Sequence, residues 1–325
     1  MKSYASIFRP GSGWAAFFTS ILVWGIGIGC FQAAFNNFLV DMYDIDGVDR
    51  GVLEFLRETP GVLLIAILAL LHKCSDWKVL RIGTLISLAA AGLLMVPVPW
   101  MGVVVFITIW ALGEHLVMPV RQSLALSIAK EGKSGESLGI VTSAINAGTV
   151  IGSLVVAAIF FIGTRCIGDG GQRILYNTVW CCVMLLLALS VFLGGCMGEP
   201  GVQGRPRPSF YFRRKYSKFY ALELFYGARK QVFFTFGPFV LIKLYGMDTK
   251  DIALLFGVSA LLTALWGRTS HWSSDGSLGL SQCDDLGYCR FERSVRSVWV
   301  CERHIPAESC GNGCVRELHC GCNPI

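Results

Sequence analysis

The sequence predicts an all-α fold, a polytopic helical membrane protein with a complete six-helix N-terminal bundle and the first two helices of a second bundle. Hydrophobic residues make up 54% of the 325 residues and charged residues only 15%, whereas about 25% of the residues in a soluble protein are charged. Eight apolar stretches each have about the 20 residues that a helix needs to cross a bilayer. The lipid bilayer is therefore the expected partner of most of the chain.

The eight predicted spans follow one another with mostly short connections. They cover residues 13–36, 51–71, 79–97, 102–120, 137–162, 174–196, 219–244 and 251–267. A Pro-rich turn, Pro97-Val98-Pro99-Trp100, separates the third span from the fourth. The first span is too long for the apolar part of a signal peptide, and no small-residue cleavage site follows it. We therefore expect no cleaved signal peptide.

Basic residues predict that the N-terminus is cytoplasmic, because Lys and Arg concentrate in the cytoplasmic loops of membrane proteins. With this orientation the inner segments hold far more Lys and Arg than the outer ones, which carry Arg50, Arg165, Arg173 and Lys250. A bacterial inner membrane is the expected location. Membrane orientation also accounts for the net charge of +6 without a nucleic acid partner.

The chain divides into four predicted segments. Residues 1–196 form the six-helix bundle, and 197–218 form a cytoplasmic linker rich in Pro, Gly and basic residues. Residues 219–267 begin a second bundle, and 268–325 form a Cys-rich tail without an apolar span. Six spans, a basic linker and further spans are the arrangement of a secondary transporter built from two repeated halves.

Two local patterns carry a family resemblance. Between the second and third spans, a segment from Asp76 to Arg81 keeps the first acid and the final base of an Asp-Arg-x-Gly-Arg-Lys signature. In the fifth span, Gly139, Gly148 and Gly152 keep the spacing of a glycine motif associated with exchangers. Both patterns, and the arrangement of the spans, resemble the major facilitator superfamily of transporters.

The match to both patterns is partial. His72 stands where the first signature has a glycine, and Ser153 replaces the proline that follows the glycine motif. Symport and antiport therefore both stay open, and close helix packing explains the glycines equally well. The resemblance implies a monomeric, non-enzymatic transporter without a cofactor. It moves a small organic solute by alternating access and couples this movement to protons.

Polar side chains within the spans are the candidate solute and proton pathway, because ionisable groups inside a bilayer are costly and usually functional. The candidates are Gln32, Asn36, Arg57, Glu58, Glu114, His115, Arg229 and Gln231. In the resembled family the first, fourth and seventh helices line the central cavity. Three of the spans that carry these candidates are therefore expected to face one another.

Roles follow from the chemistry of each group. Burial favours the neutral form of a carboxyl, so Glu114 is the expected proton carrier. His115 is a modulator or a solute contact, and Arg229 is the expected partner of an anionic group because a guanidinium stays charged. A structural role is the alternative for each. Arg57 and Glu58 are each expected to pair with another helix.

Two further polar groups have structural interpretations. Asn36 and Asn37 could cap the end of the first helix. Arg121 is expected at the inner end of the fourth span, where it could reach the lipid headgroups.

The tail contains seven cysteines and three histidines, and it has two interpretations. A stretch from His304 to Cys322 offers zinc ligands, but it lacks the paired Cys-x2-Cys of structural zinc sites. A frameshift is the favoured interpretation. Codons chosen for Ser270 to Ser277 can be read two bases later as Pro-Leu-Val-Ile-Gly-Arg-Phe, which resembles the end of an eighth span. A disulfide framework is not expected in the cytoplasm.

Two other function classes compete with transport. A membrane receptor or scaffold would use the tail as a zinc-binding module. An intramembrane enzyme would use Glu114 and His115, but such enzymes need several acids and histidines around a metal or a water molecule, and no second His lies within the spans. We expect no metal site within the spans.

Overall fold

A computed structural model describes residues 7–8, 13–167, 171–195 and 217–272, without the side chains of 219–220, 223–224, 226–233 and 264–272. The described helices are α1 (Trp14–Tyr43), α2 (Gly47–Leu70), α3 (Asp76–Leu93), α4 (Trp100–Ile128), α5 (Ser134–Ile167), α6 (Gln172–Gly195), α7 (Ser217–Tyr245) and α8 (Thr249–Trp272). One isolated β-bridge joins Phe8 to Ala129. The predicted all-α fold is confirmed.

The chain divides into two units, Met1–Trp266 and Gly267–Ile325, and only the end of α8 is described in the second. The predicted linker falls outside the described residues except where α7 begins. The tail, with its cysteines and with His304, falls outside them except where α8 ends.

Hydrophobicity and length agree with a multi-pass membrane protein. Four of the described helices, α1, α4, α5 and α6, are both long enough and apolar enough to cross a bilayer. Large apolar side chains on the outside of the bundle, such as Phe55, Val62 and Leu70, are at least 75% exposed. Such a surface suits lipid, since exposed apolar patches of this kind are rare in soluble monomers.

All eight predicted spans coincide with helices, but several ends differ from the prediction. Helix α1 continues through Asn36 and Asn37 to Tyr43, so neither asparagine is a cap. Both asparagines are buried in the bundle. Helix α3 ends at Leu93, four residues before the predicted end, because the Pro-rich segment cannot continue a helix.

Helix α4 is longer than predicted. It runs to Ile128, so Arg121 lies two turns inside the helix rather than at its end. The residues directly after Val120 are polar, which predicts a loop. They continue the helix because its buried face includes Leu124, Ala125 and Ile128.

Helices α1 and α5 pack backbone to backbone through glycines. A Cβ atom on Gly152 would lie 2.2 Å from the Ile26 carbonyl oxygen, and one on Gly148 would lie 2.7 Å from the carbonyl carbon of Gly25. Across the same interface, a Cβ on Gly29 would lie 2.6 Å from Cα of Thr149. The absence of side chains at these positions lets the two helices approach this closely.

An aromatic core joins α1 to α4 and α6. The rings of Phe31 and Trp110 stack with centroids 3.8 Å apart, and Phe38 contacts Tyr176 and Trp180 edge to face. Trp110, Tyr176 and Trp180 are fully buried. This core fixes the central position of α1, which also contacts α5 and α7.

The connections between helices define two sides of the bundle. The side that holds the α1–α2, α3–α4 and α7–α8 connections is called the α1–α2 side here, and the opposite side holds the α2–α3 and α4–α5 connections. A cytoplasmic N-terminus would make the α1–α2 side the outer one.

Candidate functional site

Helix α2 carries a row of charges along one face. Asp46 caps the helix, accepting hydrogen bonds from the backbone N–H groups of Val48 and Asp49 at 2.8 Å, and the cap is completed by the Asp49 carboxylate. This cap starts the helix at Gly47, so Arg50 lies inside the helix rather than in the loop where it was predicted. Because the helix repeats every 3.6 residues, charges spaced three and four residues apart share one face.

The charged face of α2 consists of Arg50, Glu54, Arg57 and Glu58. The Glu54 carboxylate accepts hydrogen bonds from both arginines, from Arg50 Nη1 at 2.7 Å and from Arg57 Nη2 at 2.6 Å. Arg50 is only 3% exposed, and its guanidinium lies 5.3 Å from the centre of the Phe35 ring on α1. Glu54 therefore balances two buried or half-buried cations on its own helix.

Arg57 also pairs within its own helix. Its Nη2 atom lies 2.7 Å from Glu58 Oε1. The direct ion pairs of Arg57 are therefore within α2, because the side chains of neighbouring residues can bend toward each other even though their Cβ atoms point about 100° apart. Its charge also interacts with that of Glu114 on α4, so the interaction with another helix is a longer-range one. Glu58 does reach another helix, as predicted, through its second carboxylate oxygen.

Glu58 contacts His115 on α4. The distance from Glu58 Oε2 to His115 Nε2 is 3.4 Å, and His115 Nδ1 lies 2.8 Å from the Ala111 carbonyl oxygen. The imidazole rests on the backbone of α2 at Gly61, where a Cβ atom would lie 2.6 Å from Nε2. Gly61 thus leaves the space that the ring occupies.

Glu114 and Arg121 extend the charged region along α4. Glu114 is half-buried and lies close enough to Arg57, His115 and Arg121 for their charges to interact. The Arg121 guanidinium lies 5.0 Å from the centre of the Trp24 ring on α1. Arg121 is therefore held inside the bundle by an aromatic ring and a nearby carboxylate.

The remaining predicted pathway residues do not join this cluster in the described structure. Gln32 on α1 is exposed. Asn36 is 5% exposed, and its Oδ1 atom accepts no hydrogen bond among the described residues. The side chains of Arg229 and Gln231 on α7 lie outside the described residues.

The predicted signature and glycine motif hold helices together. Asp76 accepts a 2.5 Å hydrogen bond from Ser123 on α4, and Arg81 donates one to the Gly194 carbonyl on α6 at 3.2 Å. Gly148 and Gly152 lie in the α1–α5 interface, whereas Gly139 has no atom within 4 Å of its Cβ position. Two of the three glycines thus match the packing interpretation.

A second polar group lies on the α1–α2 side. The Tyr176 hydroxyl on α6 donates a hydrogen bond to the Asp41 carboxylate at 2.5 Å and lies 2.9 Å from Thr249 Oγ1 at the start of α8. Asn37 donates to the Met247 carbonyl at 2.9 Å. These contacts connect the first bundle with the α7–α8 connection.

Sequence reasoning missed Glu54, Asp41 and Tyr176. The spacing of Glu54, four residues after Arg50 and three before Arg57, was a usable signal for one charged helix face. It was missed because Arg50 was placed in a loop. The contact of Asp41 with Tyr176 spans 135 positions in the sequence and had no local signal.

The described residues contain no group of three or more His, Cys, Asp or Glu side chains that could hold a metal ion. The charged region of α2 and α4 is dominated by carboxylate–guanidinium pairs. Such a region can bind or release protons and can contact charged or polar solutes.

Comparison with known proteins places the fold among transporters. No protein-family model matches the chain, and no curated protein matches it. A bacterial homologue of the human lysosomal transporter Spinster, solved inward-facing and unoccupied, matches with a TM-score of 0.52 at 16% identity, covering 81% of this chain and 63% of that one.

Two further solved structures also match. Tetrameric PepTSo2 has a TM-score of 0.51 at 15% identity, covering 90% of this chain and 59% of that one. A bacterial homologue of the human drug peptide transporters PepT1 and PepT2 has a TM-score of 0.50 at 16% identity, covering 81% and 54%. The chain thus spans less than two thirds of the length of each. The described helices share their fold with these solved structures.

Proposed function

We propose that this chain is the larger part of a secondary active transporter that moves a small organic solute by alternating access, coupled to protons. The observation that carries the proposal is the charged region of α2 and α4, where carboxylates and guanidiniums surround a histidine on α4, a helix long and apolar enough to cross a bilayer. Burying an ionisable group within a membrane costs free energy, so such groups are usually found where they serve a pathway. A fold shared with transporters supports the same conclusion, although a fold alone does not define a function.

Contacts on the α1–α2 side support alternating access. Asn37, Asp41 and Asp44 of the first bundle bind the α7–α8 region through single hydrogen bonds and one ion pair, Lys243 to Asp44 at 2.5 Å. Each of these contacts is weak by itself, because single hydrogen bonds and exposed ion pairs compete with water. Contacts of this strength can close one side of a transporter and release it again during the cycle.

Solute recognition would use polar groups of α1, α4 and α7. Gln32, Asn36 and Gln231 offer neutral hydrogen-bonding groups, and Arg229 offers a fixed positive charge for an anionic group. Sugars, organic anions and amphiphilic drugs fit this mixture. Dipeptides join the candidates because one of the similar structures is a bacterial homologue of human drug peptide transporters.

Completeness of the second bundle is part of the proposal. We take the tail from residue 268 to be frameshifted sequence, so that transport belongs to a protein in which four further spans follow α8. Sequencing the gene from about codon 255 to several hundred bases past the stop tests this directly. A second frame that encodes four apolar spans supports it, and a frame without them contradicts it.

Proton-coupled flux is the direct test of function. The protein with its completed second bundle is reconstituted in liposomes that contain the pH dye pyranine. Dialanine, glucose, lactate and ethidium are then added one at a time under an inward proton gradient. We expect at least one solute to accelerate proton entry, and Glu114→Gln to reduce this effect if Glu114 carries the proton.

Orientation and assembly complete the proposal. We propose a cytoplasmic N-terminus in a bacterial inner membrane, which reporter fusions at Asp46 and Gly132 would test, since the two positions lie in connections on opposite sides. We also propose a monomer, although one similar protein is tetrameric. The mass of the purified protein in detergent distinguishes these states.

A further inference from the structure

We propose that the Glu58–His115 contact between α2 and α4 is the proton-binding site, with one proton held between His115 Nε2 and Glu58 Oε2. This inference rests on the proposed function, because it names the site where a transported proton would bind. It differs from the prediction that Glu114 carries the proton.

The contact of His115 with a backbone carbonyl determines which of its two ring nitrogens carries a hydrogen. A backbone carbonyl oxygen can only accept a hydrogen bond. Because His115 Nδ1 lies 2.8 Å from the Ala111 carbonyl oxygen, Nδ1 must carry a hydrogen and donate it. In the neutral imidazole Nε2 then has a lone pair and no hydrogen.

The Nε2 atom of His115 faces the Glu58 carboxylate. Glu58 Oε2 lies 3.4 Å away. A bare Nε2 and an ionised carboxylate would present two lone pairs to each other, which is unfavourable. One added proton makes the contact attractive, either as imidazolium with carboxylate or as neutral imidazole with carboxylic acid. On release, the proton passes to water and the charge of the pair falls by one.

The charged side chains around the pair include equal numbers of described carboxylates and guanidiniums. The described carboxylates of this region are Glu54, Glu58 and Glu114, and the described guanidiniums are Arg50, Arg57 and Arg121. Each carboxylate has at least one guanidinium close by. His115 is the titratable group that this balance leaves over, so an added proton settles at its contact with Glu58.

Other charged groups lie near the pair on α2 and α4. On α2, Arg57 contacts Glu58 directly and Glu54 indirectly, and on α4 Glu114 neighbours His115. Helix α7 carries Arg229 and Lys230, whose side chains lie outside the described residues. A cation there would change the affinity of the site for a proton but would not replace the missing hydrogen on Nε2.

Access and movement fit the same site. The Glu58 side chain is 38% exposed, so the pair is not enclosed by the described residues. The pair is also a polar contact between α2 and α4, and it lies beside Pro60, which has no N–H group to donate to the backbone of α2. Loss of the proton therefore weakens the attraction between two helices at a point where α2 can bend.

The test is nitrogen NMR of the histidine rings. The full chain is labelled with 15N-histidine in lipid nanodiscs, and the His115 signals are identified from their loss in His115→Asn. We expect neutral His115 to keep its hydrogen on Nδ1. We expect Glu58→Gln to move the midpoint of the His115 titration by about one pH unit or more, as removal of a neighbouring charge does.

Gly61→Ala is the second variant, in case Glu58→Gln does not fold. Its Cβ would lie 2.6 Å from Nε2 and would push the ring away from Glu58, so it should also move the midpoint. Gly51→Ala on the same helix is the matched control, since only the tip of Phe236 lies as near as 4.0 Å, and it should leave the midpoint in place.

Either of two results would overturn the proton site. One is a neutral His115 with its hydrogen on Nε2. The other is an unchanged midpoint in both Glu58→Gln and Gly61→Ala. If the NMR results are as expected and no solute drives protons in liposomes, the proton site stands and the transport function fails. If solutes drive protons but the midpoint does not move, the function stands and the proton site fails.

Discussion

The α1–α5 and α2–α4 interfaces bring two helices together in opposite ways. Helices α1 and α5 meet through glycines, with backbone atoms in contact and no room for a methyl group at Gly29, Gly148 or Gly152. Helices α2 and α4 meet through charged side chains, and His115 reaches the backbone of α2 at Gly61. The first interface can change only by separating, whereas the second can change its charge.

This difference indicates which of the two interfaces can change its arrangement. A close-packed apolar interface is stabilised by many small contacts and has one good arrangement. An interface that binds a proton can have two arrangements whose relative energies depend on that proton. We therefore expect α1 and α5 to move as one body, and the α2–α4 contact to respond to pH.

Removal of the central carboxylate should have the largest effect. Glu54→Ala leaves Arg50 buried without its ion-pair partner, and we expect a loss of about 3–5 kcal/mol in the free energy of unfolding. Glu136→Ala is the control, because its ion pair with Lys133 is on the surface and should contribute at most about 1 kcal/mol. Thermal melts in detergent compare the two. Equal losses would show that the charged face of α2 is not buried in the protein.

Filling the glycine interface should have the next largest effect. Gly152→Ala places a methyl group 2.2 Å from a carbonyl oxygen of α1, and the backbone must shift. Overpacking of this kind costs about 1–3 kcal/mol. Gly139→Ala on the same helix meets nothing within 4 Å and should be neutral or slightly stabilising. A stable Gly152→Ala protein would contradict the backbone contact between α1 and α5.

A smaller loss is expected on the α1–α2 side. Tyr176→Phe removes the hydroxyl that joins Asp41 to Thr249 and should cost about 1 kcal/mol. Thr178→Val on the same helix removes a hydroxyl that bonds only within its own exposed turn, so its cost should be smaller. If the two variants melt at the same temperature, the link between α6 and α8 contributes nothing to stability.

The smallest effect should depend on pH. The Lys243 ammonium donates a hydrogen bond to the Asp44 carboxylate and lowers the pKa of Asp44. The stabilisation is complete above the ordinary Asp pKa of about 3.9 and is lost as the pH falls through the lowered value. Between about pH 5 and pH 3 the wild type should therefore lose more thermal stability than Asp44→Asn.

Asn suits this test because it tolerates the left-handed backbone of position 44, where φ is 45°. Identical pH profiles for the two proteins would show that the contact between Asp44 and Lys243 does not form in solution.

Helix positions could be predicted from the sequence because a span is a local property. Twenty apolar residues between charged connections define a helix in a bilayer whatever its neighbours do. The helix ends were less predictable. Asn36 and Asn37 suggested a cap, but buried neighbours continue α1 for two more turns. The cap at Asp46 begins α2 at Gly47, which brings Arg50 into the helix rather than into the preceding connection.

The sequence predicts which residues belong to the candidate site, but it does not predict which of them contact each other. Glu58, Glu114 and His115 stood out as ionisable groups within apolar stretches. Their contact partners depend on how the helices are rotated and packed, and a local sequence pattern does not contain this information. Gly61 shows this limit, because its role is to leave space for a ring 54 positions later in the sequence.

The most direct test measures both interfaces in one protein at two pH values. Spin labels on genetically encoded p-acetylphenylalanine leave the 13 cysteines in place. One pair, at Val52 and Met118, spans α2 and α4, and the other, at Thr19 and Phe161, spans α1 and α5; all four positions are exposed. Electron–electron double resonance then gives the distances in nanodiscs.

We predict that the α2–α4 distance distribution shifts between acidic and alkaline pH while the α1–α5 distribution does not. Glu58→Gln should abolish the shift. An α2–α4 distance that ignores pH, or an α1–α5 distance that follows it, would contradict the division into a fixed interface and a proton-dependent one.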